Sequence, residues 1–334
     1  MTDVSPKEGT IAYFSMDVAV DSNIPTYSGG LGVLAGDMLR SAADLQLPMV
    51  AVSLLHRKGY FDQRLDSRGN QMESPVTWSP ERHLQRLAEQ VTLTVGSRAV
   101  QIGAWQYLFT GVSGHSVPLI FLDTDLPVND SSDRSLTDFL YGGDERYRLC
   151  QETILGIGGV LMLRALGHKD IRVFHMNEGH SALATLALLE EQAGAARERR
   201  YSDTQVESVR RQCVFTTHTP VPAGHDRFPS ELVYQVLGGA RAGVLSDLQV
   251  MNGSLNMTEL ALRFSGYVNG VSMRHGEVSR DMFPNQQIEA ITNGVHAATW
   301  AAAPMAALFD RTLPKWREDN CFLRYAVGIP LTEL

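Results

Sequence analysis

Residues able to do chemistry gather at a few points of this sequence. The stretch "YSGGLG" places Gly29, Gly30, Leu31 and Gly32 directly ahead of a helical apolar pattern. Glycines admit a ligand close to the backbone. The first N–H groups of a helix lack internal partners and sit at the positive end of its dipole, so an anion or a polar oxygen is favoured there. A plain strand-to-helix turn accounts for the same residues. A second set is polar and stands where strand-like runs end: Asp17, Asp123, Asp125, Asn177, Glu178, His180, His218, His225, Asp226 and Asn293. Each has a bland reading as well. Asn177 suits a helix N-cap, His218 a core histidine, His225 and Asp226 a loop pair, and "TNGV" a turn. Ten histidines raise the question of a metal. No HExxH occurs, and His175 and His180 are not at helical ligand spacing, so no metal site is expected. A GxSxG elbow, a Walker A loop and a GxGxxG fingerprint are also absent.

The elements needed to hold these residues are legible as alternating runs. "TIAYFSMD", "PMVAVSLLH", "VPLIFLDTD", "IRVFHMNEGH", "CVFTTHTP" and "IEAITNGVH" read as strands, with helical patterns such as "ERYRLCQETILGIGGVLMLRALG" between several of them. Continuous apolar strands alternating with helices predict a mostly parallel sheet covered on both faces. That is a Rossmann-like, doubly wound α/β fold, in which ligands sit beyond the carboxyl ends of the strands. The segment of about 66–115 predicts a small β-rich insertion. "AARERRYSDTQVESVRRQ" predicts a charged, solvated stretch.

Bulk properties narrow the classes. The 334 residues carry a net charge of −8, which argues against a nucleic acid or an anionic membrane as main partner. No apolar run is long enough to span a bilayer, and the N-terminus lacks the pattern of a secretion signal. Cys150, Cys213 and Cys321 are far apart, which suits a reduced, cytoplasmic protein. Only four lysines occur: Lys7, Lys58, Lys169 and Lys315.

Seven segments, in order, resemble the N-terminal domain of the α-glucan (glycogen, starch or maltodextrin) phosphorylases. They are "AYFSMD", "YSGGLGVLAGDMLRSAADLQLP", "YGGDERYRLCQE", "HMNEGHSAL", "VFTTHTPVPAGHDRFP", "YVNGVSMRHGEVSRDMFP" and "ITNGVHAATW". The resemblance runs from about Ile11 to the end of the chain. It implies one half of a GT-B enzyme, two Rossmann-like domains facing across a cleft, that cleaves terminal α-1,4 bonds with inorganic phosphate to give glucose 1-phosphate. It implies pyridoxal phosphate as cofactor. Gly29, Gly30, Leu31 and Gly32 match the loop that approaches the phosphate and glucosyl group. His218 and Asn293 match residues that contact the glucosyl unit. Asp17, Asn177, Glu178 and His180 fall in motifs that line the substrate cleft, and "YGGDER" lies where a gate loop crosses it.

The sequence departs from the family at two places. Asp17-Val18 stands where the family carries Glu-Phe or Glu-Tyr after "YFSM". None of the four lysines matches the motif that binds pyridoxal, which lies in the family's second domain. Residues 1–334 therefore read as the N-terminal domain alone, a truncated or split chain, catalytically incomplete and without covalent pyridoxal phosphate. Its partners would be α-1,4-glucan, phosphate and the missing half. A face meant for that half would favour association, including homo-oligomers. The alternatives are a non-catalytic half-enzyme that binds glucan or a partner chain, and a sugar-nucleotide glycosyltransferase. "TTHTPVPAGHD" weighs against the last of these.

Overall fold

The computed structural model describes residues 9–193 and 201–333. Fourteen strands are found among them: β1 (Thr10–Ser15), β2 (Met49–Leu54), β3 (Asp62–Leu65), β4 (Gln71–Ser74), β5 (Gln85–Val95), β6 (Arg98–Thr110), β7 (Ser116–Asp123), β8 (Ile171–Asn177), β9 (Cys213–Thr217), β10 (Arg227–Pro229), β11 (Met251–Asn252), β12 (Ser254–Asn256), β13 (Tyr267–Gly270) and β14 (Glu289–Ala290). Nine of them form one sheet in the order β14-β13-β9-β8-β1-β2-β7-β6-β5. Every pairing from β14 across to β7 is parallel, and β6 and β5 are added antiparallel at the far edge.

The central strands are buried on both faces, as their unbroken apolar runs require. Phe14, Val52, Leu122 and Phe174 join one core; Tyr13, Ala51, Phe121 and Leu119 join the other. The helix Gly30–Asp44 packs on β6 and β7. On the opposite face the helical run from Glu145 to Ala165 carries a π turn at Ile154–Gly158, which lies across β1, β2, β5 and β7.

From β1 the chain passes to β2 on one side, goes out to the far edge at β5 and comes back through β6 to β7 beside β2. It then crosses with β8 to the other side of β1 and continues through β9, β13 and β14. The gap between the ends of β1 and β8 is thus the switch point of the sheet, the place where such folds bind ligands.

The segment of about 66–115 is β-rich, but its long strands β5 and β6 extend the main sheet and do not form a separate body. Apart from it, β3 and β4 pair as a hairpin, and β10, β12 and β11 form a small three-stranded sheet. In the charged stretch 195–212, residues 195–200 lie outside the described residues. The remainder is a helix, Asp203–Gln212, started by a Ser202–Gln205 capping box. The last described residues form 3₁₀ turns, Asn320–Gly328 and Leu331–Glu333. No described helix is long and apolar enough to cross a membrane.

Candidate functional site at the sheet switch point

Strands β1 and β8 run in register so that Ser15 lies beside Asn177. The side chains there form a one-way relay. Ser15 Oγ donates to the Asp17 carbonyl at 2.7 Å, and Asn177 Nδ2 donates to Ser15 Oγ at 3.0 Å. The single hydroxyl proton is thereby used, which fixes the amide of Asn177 with its oxygen turned away. That oxygen meets His218 Nε2 at 2.5 Å. An amide oxygen only accepts, so Nε2 carries the proton and Nδ1 is left as an acceptor. Burial lowers the pKa of His218, opposed by the nearby Glu178 carboxylate. The ring is therefore held as neutral imidazole in one orientation, half-buried.

Glu178 shapes the loop that follows β9. Its Oε2 accepts from the backbone N–H of His218 (2.8 Å) and Thr219 (3.0 Å) and from the Thr219 hydroxyl (2.9 Å), and Oε1 accepts from the N–H of Gly179 (3.1 Å). Glu178 itself sits at φ 67°. A non-glycine residue there costs on the order of 1–3 kcal/mol, and four bonds to a carboxylate offset that. Asn177 and Glu178 are both buried. They spend their polar atoms on the protein and aim His218.

Asp17 does the same for the glycine loop. Its Oδ2 accepts from Ser28 N–H at 3.3 Å and its Oδ1 from the Tyr141 hydroxyl at 3.1 Å. Burial raises its pKa to about 6, against the pull of the Ser28 amide, His180 and Tyr141. A Cβ on Gly32 would come within 2.6 Å of Asp17 Oδ2 and of Tyr27 Cβ. Gly32 is therefore bare because the carboxylate and Tyr27 press against it. Gly29 and Gly30 differ: both are exposed, and a Cβ on either would meet nothing within 4 Å. They open the helix Gly30–Asp44, which has no side-chain cap, so its first N–H groups lack an intrahelical partner.

His180 lies beside this pair. Its Nε2 is 3.5 Å from Asp226 Oδ2, its ring centroid is 5.8 Å from that of Tyr141, and its Nδ1 is buried without a partner. A cavity of about 210 Å³ opens between Tyr141, Arg148, Glu152, His180 and Asp226. Arg148 Nη1 reaches Asp226 at 3.0 Å. Glu152 is fully buried, and burial first, then the adjoining Asp226, hold it protonated well above the usual carboxylate range. Sequence reasoning passed over Tyr141, Arg148 and Glu152, although all lie within the quoted "YGGDERYRLCQE". The signal was there: Arg148 and Glu152 are four apart, on one face of a helix.

Asn293 arrives by its backbone, whose N–H donates to the carbonyl of Val271, just past β13, at 3.0 Å. Its side chain is exposed, at the same carboxyl edge as the end of β9, and it makes no hydrogen bond to His218 or to the glycine loop among the described residues. His225 is buried against Thr258 (2.8 Å) and Phe283. Asp123 and Asp125 belong to a structural ion-pair network with Arg57, Arg134 and the Trp105 indole. A larger cavity of about 970 Å³, between the helices Gly159–Ala165, Ala184–Ala193 and Ser230–Asp247, holds none of these residues.

Among the described residues no group of three or more His, Cys, Asp or Glu could hold a metal. Pyridoxal phosphate would need a free amine. Lys58 is bound to Asp138 at 2.7 Å, no lysine lines the smaller cavity, and Lys7 lies outside the described residues. Among the described residues, then, no lysine stands in that cavity to attach the group.

No protein-family model matches the chain. It is 40% identical over 329 residues to a glycogen phosphorylase of Mycobacterium tuberculosis, a match covering 87% of this chain and 37% of that protein. It is 37% identical over 332 residues to a maltodextrin phosphorylase of Thermococcus litoralis, covering 93% and 39%. A glycogen phosphorylase of Aquifex aeolicus is 30% identical over 328 residues, covering 91% and 46%. The chain thus spans less than half the length of these relatives.

Proposed function

Since this chain is homologous over most of its length to part of the glycogen and maltodextrin phosphorylases, we propose that it is the N-terminal half of an α-glucan phosphorylase of the GT-B arrangement. In this reading it forms one wall of a site where a terminal α-1,4-glucosidic bond is cleaved by inorganic phosphate to give glucose 1-phosphate. Pyridoxal phosphate and its lysine belong to the remaining portion. The observation that carries the proposal is the joint support of His218 and the glycine loop from the two strands flanking the switch point, through Asn177 and Asp17.

The roles follow from the chemistry. Glucosyl transfer passes through an oxocarbenium-like state. The carbonyl of His218 and the oriented imidazole are fixed dipoles beside the sugar. The first N–H groups of the helix Gly30–Asp44 face phosphate oxygens, with Gly29 and Gly30 leaving the room a phosphate requires. Asn293 contacts the sugar from the far side, and His180 completes the wall. Losing one preorganised donor of this kind costs on the order of 2.7–4 kcal/mol in barrier.

Titration calorimetry with maltoheptaose and with glucose 1-phosphate, run beside a phosphorolysis assay, tests the reading. The expected result is saturable binding that His218→Ala weakens, with no glucose 1-phosphate released by the chain alone. Release by the chain alone would overturn the division of labour. Absence of binding to either compound would overturn the site.

A further inference from the structure

The segment that carries Asn293 is held in an unusual way. Residues 291–295 are exposed, so burial of apolar surface does little to place them. Ile291 and Asn293 donate their backbone N–H groups to the carbonyls of Gly270 and Val271, and the residues just after them, His296 and Trp300, carry polar ties to the helix that begins at the glycine loop. Asp37, buried in the middle of that helix, accepts from the backbone N–H of His296 at 3.0 Å and from the Trp300 indole at 2.8 and 3.0 Å. Arg40 approaches the same carboxylate at 3.5 Å. At the end of the helix, Asp44 meets His296 Nε2 at 2.9 Å, and His296 Nδ1 is engaged by Thr299 at 2.6 Å. The ties from Asp37 and Asp44 reach across most of the sequence and join two parts of the candidate site. Asp37 lies seven residues after Gly30, about 10 Å along one rigid helix.

We propose that Asp37 is a positioning residue: it locks the Asn293 loop to the glycine-loop helix, so that the two walls of the site keep a fixed spacing. The carboxylate is needed for this because every group aimed at it is a donor. An amide in its place would turn an NH₂ toward a donor whichever way it lay. That the spacing serves a glucosyl site rests on the function proposed above; that Asp37 sets it does not.

Two measurements keep these apart. The first is hydrogen exchange by mass spectrometry on this chain, comparing wild type with Asp37→Asn and Trp300→Phe. Loss of bonds to a charged acceptor predicts exchange about tenfold faster over residues 291–301 in Asp37→Asn. A smaller rise is expected in Trp300→Phe, which keeps an aromatic ring and removes the donor. Protection of β1, β8 and the helix Gly30–Asp44 should be unchanged in both. Unchanged exchange over 291–301 in both variants, or an equal rise throughout the chain, would overturn the proposal. The second is phosphorolysis by the complete enzyme carrying Asp37→Asn. Mispositioning predicts kcat down about tenfold, with KM for maltodextrin nearly unchanged. A KM effect alone would overturn the positioning role. If the wild-type enzyme shows no phosphorolysis, the proposed function fails, and the exchange result still decides the role of Asp37.

Discussion

Asp17 shows how a single residue couples the site to stability. Burial lifts its pKa from 3.8 to about 6. The folded chain therefore binds a proton there more tightly than the unfolded chain. Stability contributed by this group is present below about pH 4, declines as pH rises toward 6, and levels off above it. The change amounts to about 3 kcal/mol. Glu152 acts in the same direction, so the two must be separated. In Asp17→Asn the amide can accept from Ser28 and donate to the Tyr141 oxygen, and nothing titrates. Urea unfolding between pH 4 and pH 7 should fall less steeply in that variant than in wild type. Equal slopes would mean that Asp17 is ionised throughout. The polar residues at strand ends were legible because a parallel sheet puts its ligands there. What each one does was not. Sequence places Asn177, Glu178 and Asp17 in the cleft; the fold adds that their polar atoms bond His218, its loop, Tyr141 and the Ser28 amide ahead of the glycine loop. Whether a buried carboxylate faces a ligand or a backbone amide depends on partners far away in the chain, and no local pattern encodes that.

At the scale of elements, the glycine loop separates two reasons for having no side chain. Gly32→Ala forces a methyl group against Asp17 and Tyr27. Overpacking of this kind costs roughly 1–3 kcal/mol, so thermal or urea unfolding should reveal it directly. Gly30→Val has open space at its Cβ and should leave stability almost unchanged apart from a helix-propensity effect of less than about 1 kcal/mol. In the complete enzyme it should cut turnover sharply, because the branched side chain takes up the space above the first turn. A variant series in which Gly30→Val unfolds the chain while Gly32→Ala is neutral would reverse these assignments. The sequence made the alternating elements plain through unbroken apolar strands and amphipathic helices between them. It did not reveal that β5 and β6 join the main sheet. Their alternating pattern fits any sheet with one covered face, and the choice of neighbour is made by the edge that β7 leaves open.

For the whole molecule, uncovered apolar side chains are spread along the chain, from Leu45, Leu65 and Val128 to several near the end of the described residues. Val295, Trp300, Tyr325, Val327 and Leu331 are all exposed, Val327 at 95% and Leu331 at 87%. Contiguous patches of several hundred Å² on a protein surface tend to find partners. The chain on its own should therefore associate as concentration rises, and light scattering should show a mass above 36.8 kDa. A monomer at high concentration would show that this surface is tolerated by water.

The claim on which the account turns is that distant parts of the chain meet in one site. Amide chemical-shift mapping during titration with glucose 1-phosphate tests it most directly. The account predicts that Gly29, Gly30, Leu31 and Gly32 shift together with His218, Thr219 and Asn293, along one saturation curve. Shifts confined to the cavity around Glu190 and Arg241, or glycine-loop shifts without any at His218, would contradict it.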